Sequence, residues 1–321
     1  MARWDFGELA MSYPRPVLTS EACFEQMGSL QDYWDLFVLL EYNAIRDGLE
    51  RIAYPVWRNE TYLWVMVAFI AWESLRPWRR EQRRWRNGAV VDLFYTVFNY
   101  MLFWMLIGTA ASEITSIAFR DALAHYFDAE HKAAISLAAM PTAVRYALLL
   151  LALDLTSWTG HWMLHRFDVL WEFHKVHHSA LELDVMNAGR IHFVEKLFYP
   201  LFFYIPMGLI GFELHDTLFV GLFIGVFSTF THANVKLPLG PLKYILNNPQ
   251  LHIWHHAKEI DHRRNVNYGD ALCIWDYIFR TAYLPDEREE IELGFDGVEE
   301  YPTTFTGQLA APFRALLHRN G

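Results

Sequence analysis

Long apolar stretches, separated by polar segments that hold most of the histidines, constrain this chain more than any other feature. They run at about Tyr62–Leu75, Leu93–Ile117, Ala143–Gly160 and 197–233. The last is interrupted by Pro206, Gly208, Gly211, Glu213, His215 and Asp216. That pattern predicts a helical hairpin with a tight turn near Gly211–Asp216. A helix needs about 20 apolar residues to cross a bilayer. The predicted architecture is therefore an all-α integral membrane protein, with four to five transmembrane helices and a histidine-rich helical cap. Residues 1–58 carry only a short apolar patch, Phe37–Leu40, which predicts an amphipathic segment at the membrane surface. The start, Met1-Ala-Arg-Trp-Asp, lacks the basic and apolar regions of a signal peptide.

Composition narrows the function classes. Hydrophobic residues make up 53% and charged residues 20% of the 321, too apolar for a disordered chain. The formal net charge of −10 argues against a nucleic-acid binder, which needs a basic footprint. Two cysteines, Cys23 and Cys273, are too few for a disulfide framework or a cysteine zinc module. The segment Arg76–Arg86 holds six arginines and reads as a solvated flank of the first span. By the positive-inside rule it is cytoplasmic. Threading the spans from there brings every histidine cluster to the cytoplasmic face.

The clusters are His161-Trp-Met-Leu-His165, His174-Lys-Val-His177-His178 and His252-Ile-Trp-His255-His256, with His232 between the last two. On a helix, residues i and i+4 share a face and i+3 lies beside them. Each cluster is thus expected to aim two or three imidazoles at one point. Imidazole is a common ligand for Fe, Zn, Cu and Ni. Nine histidines exceed what one metal needs and suit two metals at four or five nitrogens each. The local sequence of the clusters lacks the Glu-x-x-His motifs of carboxylate di-iron bundles. This pattern reads as an all-nitrogen di-iron centre at a membrane surface, oxidising an unactivated C–H bond with O2 as co-substrate. Zinc shares these ligands and is able to replace iron in a recombinant sample. A zinc-dependent membrane hydrolase and a metal transporter are the rival classes. The first usually needs a Glu base as in HExxH, which is absent. The second needs sites near the bilayer midplane.

The order HxxxH, HxxHH, HxxHH on a multi-span chain resembles the fatty acid hydroxylase / sterol desaturase superfamily, from about Arg76 to Thr281. Arg190-Ile-His192-Phe-Val-Glu195 resembles its R-x-H-P-x-E element, with Phe193 in place of Pro. Asn267-Tyr268-Gly269 resembles N-Y-G, and Trp275–Thr281 resembles W-D-x-x-F-G-T, with Arg280 in place of Gly. The resemblance implies a catalytic domain over 59–281 and a C-terminal cytoplasmic tail over 282–321. It implies that His161, His165, His174, His177, His178, His232, His252, His255 and His256 are metal ligands. His192 is then an active-site or tenth-ligand position, or else a satisfied histidine of the cap. Glu195 is expected to accept a proton from a ligating imidazole, or to form an interfacial salt bridge. Asp154, two turns before His161, is expected to hydrogen-bond a ligand's free N–H, with pairing to Arg145 as the rival. Asp276 and Asn234 are further candidates to orient ligands, and His125, His131, His215, His262 and His318 read as surface or interfacial residues. The implied substrate is a long apolar membrane lipid, hydroxylated, desaturated or cleaved at an ether. No haem or flavin module is evident. Electrons are expected from a ferredoxin-, rubredoxin- or cytochrome b5-like protein or a diffusible reductant.

Overall fold

The computed structural model describes residues 57–99, 140–210, 214–260, 266–285 and 291–319, with a few isolated positions before and between them. Most of residues 1–58, the greater part of the second apolar stretch and the tip of the hairpin lie outside these residues. So do His125, His131 and His262.

Among the described residues the structure is helical, joined by turns and isolated bridges. The helices are α1 (Trp57–Leu75), α2 (Ala89–Val97), α3 (Thr142–Arg166), α4 (Asp168–His178), α5 (Phe193–Ile210), α6 (Leu214–Thr231), α7 (Pro249–His255), α8 (Ile274–Phe279) and α9 (Phe305–Arg319). Helix α3 is central and packs on α4, α5 and α6. Leu149 and Leu153 of α3 meet Val220 and Ile224 of α6 around Ala271. Gly160 lets α5 approach closely, since a Cβ there would come within 3.0 Å of the Phe202 ring. A second core joins Met66 of α1 to Phe230 of α6 and to Val185, Ala233 and Val235. A third underlies the cap, with Leu183, Ile253, Trp254, Ala257 and Leu293.

Local signals explain the short cap elements. Asn248 accepts the N–H of Leu251 at 3.1 Å, and Pro249 opens α7 behind it. Pro suits the first helical position because its missing N–H would be unpaired there anyway. Asp184 and Asn187 form a capping box around the 3-10 turn Val185–Gly189.

Helices stand at the first, third and fourth apolar stretches and over the start of the second. Among the described residues, however, no helix is long and apolar enough to cross a membrane. Polar residues are set within the apolar runs: Arg145 and Asp154 in α3, Glu195 and Lys196 in α5, Asp216 in α6. Outward faces remain apolar. Trp64 is 70% exposed on α1, Val90 65% on α2 and Phe219 57% on α6.

The arginine run departs from the expectation of a solvated flank. Arg76, Arg80, Arg83 and Arg84 are exposed. Arg79 instead reaches the carbonyl of Leu183 and lies over Trp78, while Arg86 is buried against Asp92 and Asp184. A guanidinium forks onto two partners at once, which makes it suited to pinning a loop.

Candidate metal centre

The nine clustered histidines are all buried, and they fall into two groups. One holds His161, His165, His174, His178 and His255; the other holds His177, His232, His252 and His256. Within each group the candidate ligand nitrogens lie within 4.8 Å of one another.

The division corrects the expectation that each cluster aims at one point. In α4 the i, i+4 pair His174 and His178 joins the five-histidine group, and His177 joins the other. In α7 the roles reverse: His252 and His256 join the four-histidine group and His255 crosses to the first. The reason is helical geometry. Consecutive residues diverge by about 100°, while i and i+4 nearly coincide. An HxxHH helix therefore serves two points, not one. His161 and His165, also i and i+4, complete the five from the end of α3. His232, just past α6, completes the four.

Hydrogen bonds to the far side of five of the rings fix which of their nitrogens faces inward. The Nδ1 atoms of His161 and His255 donate to the carbonyls of Tyr268 and Val266, both at 2.8 Å. His232 donates to Ser228 at 2.8 Å and His177 to Arg190 at 3.3 Å. His174 Nδ1 donates to Glu195 Oε1 at 3.1 Å. A carbonyl only accepts, so Nδ1 holds the proton and Nε2 keeps its lone pair. Those lone pairs face each other. Nε2 of His161 is 3.2 Å from that of His174, and His232 is 3.1 Å from His177. His232 and His252, and His252 and His256, are also 3.2 Å apart through Nε2. Opposed lone pairs at this range repel unless a cation sits between them. Metal–nitrogen bonds of about 2.0–2.1 Å place neighbouring ligands about 2.9–3.4 Å apart. The donor set and its spacing fit one metal ion per group.

Electrostatics agrees. Burial, and then the like charge of neighbouring rings, pushes His174, His177, His178, His252, His255 and His256 well below the usual imidazole range. They stay neutral near pH 7, the form that binds metal. Burial also raises the Glu195 carboxyl to about 7.

A profile of the fatty acid hydroxylase family matches residues 146–281. An ornithine lipid hydroxylase of Rhizobium tropici, OlsE, is 29% identical over 85% of this chain and 79% of its own length. Residues 146–281 thus carry a fatty acid hydroxylase domain. Alkylglycerol monooxygenases of Xenopus tropicalis and Homo sapiens are 30% and 31% identical over 46% and 43% of the chain. These matches span only about a third of their length, 32% and 30%. No solved structure matches. Enzymes of that family are oxygenases, and the two histidine groups fit the metal centre such an enzyme needs.

The remaining candidates sit in distinct places. Glu195 holds His174, as above. Asp154 touches neither a ligand imidazole nor Arg145. It accepts the N–H groups of Ala271 and Leu272 and the indole N–H of Trp275, anchoring the segment that presents Tyr268. Arg145 pairs with Asp216 at 2.7 Å. His192 lies outside both groups. Its Nε2 donates to Leu309 at 3.1 Å and its Nδ1 accepts from Val194 at 3.2 Å. Both ring nitrogens are thus used within the cap, between Phe173 and Phe313. Asp276 accepts from Tyr268, Gly269, Trp158 and Thr281, and Asn234 braces Arg79. Each orients a loop and not a ring. His318 is exposed on α9.

Sequence reasoning missed a buried ion network. Asp92 joins Arg86 and Arg190, and Arg86 also reaches Asp184 at 2.5 Å. Arg190 is the residue whose carbonyl receives His177. Asp92 is a lone carboxylate in an apolar run, the same signal that singled out Asp154.

Proposed function

We propose that this protein is an O2-dependent di-iron monooxygenase that hydroxylates an unactivated C–H bond of a membrane lipid at the cytoplasmic face. One observation carries the reading: two groups of buried imidazoles whose ring nitrogens converge at ligand spacing. Iron held there would supply the oxidant for the overall change R–H + O2 + 2e⁻ + 2H⁺ → R–OH + H2O.

The chain's own residues do the rest. Carbonyls of Tyr268, Val266, Ser228 and Arg190 hold the rings in one tautomer, and Glu195 makes His174 a stronger donor. The apolar outer faces of α1, α3 and α6 support a lipid setting and a multi-pass fold. Similarity to an ornithine lipid hydroxylase supports a polar lipid as substrate. Electrons arrive from a separate ferredoxin-, rubredoxin- or cytochrome b5-like protein or a diffusible reductant. Ether-lipid oxidation is a second reading, favoured by the alkylglycerol monooxygenases.

The test is metal content of detergent-purified protein from iron-supplemented cells, with O2 uptake after chemical reduction. One iron per histidine group and lipid-dependent O2 uptake are expected. A lipid product heavier by one oxygen marks hydroxylation, and a released aldehyde marks ether cleavage. One zinc per chain with no O2 uptake would overturn the reading and favour a hydrolase.

A further inference from the structure

One helical turn from the metal-binding layer, a second polar layer crosses the bundle. Ser157 lies four residues before His161 on α3, and Ser228 lies four before His232 on α6. Tyr199 lies four after Glu195 on α5, which runs the opposite way. All three helices thus place a hydroxyl-bearing residue at the same depth, about 6 Å along the axis from a residue of the histidine layer on the same helix. The carboxylate of Asp270 sits among them. It accepts the Ser157 hydroxyl through Oδ2 and the Ser228 hydroxyl through Oδ1, the latter at 2.9 Å.

Asp270 has two features of a residue that receives something. It keeps accessible surface, although its neighbours Tyr268, Gly269 and Ala271 are buried. Among the described residues, no Lys or Arg pairs with it, whereas Asp92, Asp184 and Asp216 all have such partners. Each of its oxygens accepts one hydroxyl and has room for another donor. A carboxylate inside an apolar bundle is stabilised most by a cation delivered to it.

We propose that Asp270 is a substrate-positioning residue that binds the ammonium group of a cationic lipid. The oxidised carbon then lies within a few bonds of that nitrogen, because only about one helical turn separates Asp270 from the histidines. Ser157 and Ser228 orient the carboxylate, and the acyl chains extend toward the apolar faces of α3 and α6. The inference rests on the reading of the two groups as a lipid-oxidising centre, but the binding step is separable from oxidation.

The test is therefore anaerobic binding, without turnover, of hexadecylamine against N-acetylhexadecylamine to the metal-loaded protein in phosphatidylcholine nanodiscs. The two probes differ in charge and not in chain. Wild type is expected to prefer the amine at least about tenfold. Asp270→Asn removes the preference while leaving metal content unchanged, and Asp270→Glu keeps it. Equal binding of the two probes by wild type would overturn the proposal whatever the variants do. So would an Asp270→Asn protein that retains the preference, or one that loses its metal and so marks Asp270 as structural. If wild type prefers the amine yet takes up no O2 with any lipid, the oxidation reading fails and the ammonium site stands.

Discussion

At the scale of single residues, the centre depends on what stands behind each imidazole. Glu195 supplies the charged acceptor for His174 Nδ1. Glu195→Gln keeps an acceptor but removes the charge, so metal affinity should fall about 10–100-fold. A chelator titration of the loaded protein reads this directly. His192→Phe should leave the metal content unchanged, because both ring nitrogens of His192 are spent on Leu309 and Val194. Loss of metal in that variant would return His192 to the ligand set. Arg280 closes α8 in a left-handed conformation, φ 61°. A side chain there costs about 1 kcal/mol relative to glycine, so Arg280→Gly should raise the thermal midpoint. This explains why glycine stands at that place in the family element, and why the departure leaves the histidines untouched. The nine histidines were legible because spacing marks them. Their acceptors were not, because four are backbone carbonyls, which no residue type announces.

At the scale of elements, each HxxHH helix is a bridge between the two histidine groups. The sequence pattern made the faces of α4 and α7 readable, but not that two helices would meet with reversed roles. Pairing of faces is a tertiary fact. The arrangement predicts an asymmetry between adjacent residues. His177→Ala leaves the four-histidine group with three nitrogens, whereas His178→Ala leaves the five-histidine group with four. Four nitrogens still satisfy a tetrahedral site. Metal analysis after gel filtration should therefore find His177→Ala approaching one ion per chain and His178→Ala near two. Equal losses would show that the groups do not hold their ions independently. The ion network behind α4 belongs to the same scale. It ties α2 and the segment 184–190 to the helix that carries His177. Arg86→Ala would strand Asp92 and Asp184 partly unpaired in the interior, at a cost of about 3–5 kcal/mol. A matching drop in the thermal midpoint is expected, with the four-histidine group losing its metal first.

At the scale of the whole molecule, polar layers are stacked along α3. Arg145 meets Asp216 near the starts of α3 and α6, and His161 stands 16 residues further along α3. At about 1.5 Å per residue the two layers are about 24 Å apart, less than the ~30 Å hydrocarbon core of a bilayer. Asp154 and the serine layer lie between them. The sequence therefore displayed where the helices are, but the number of crossings does not follow from apolar length alone. Sidedness has the same limit, because two of the six arginines that suggested it are used inside the fold. The outer faces still argue for lipid. Trp64, Val67 and Leu75 on α1, Val144 and Leu148 on α3, and Phe219 and Phe223 on α6 are too many exposed apolar residues for a surface in water. Short helices in a bilayer either thin it locally or draw polar flanks toward the headgroups. The protein should thus stay in the membrane pellet after an alkaline carbonate wash and leave it only with detergent. Release by carbonate would mean surface attachment. Sidedness is then read at Arg83, which is exposed. An Arg83→Cys variant is expected to react with an impermeant maleimide in inside-out vesicles and not in intact cells. The reverse pattern would place the metal groups on the opposite face and require an electron donor from that side.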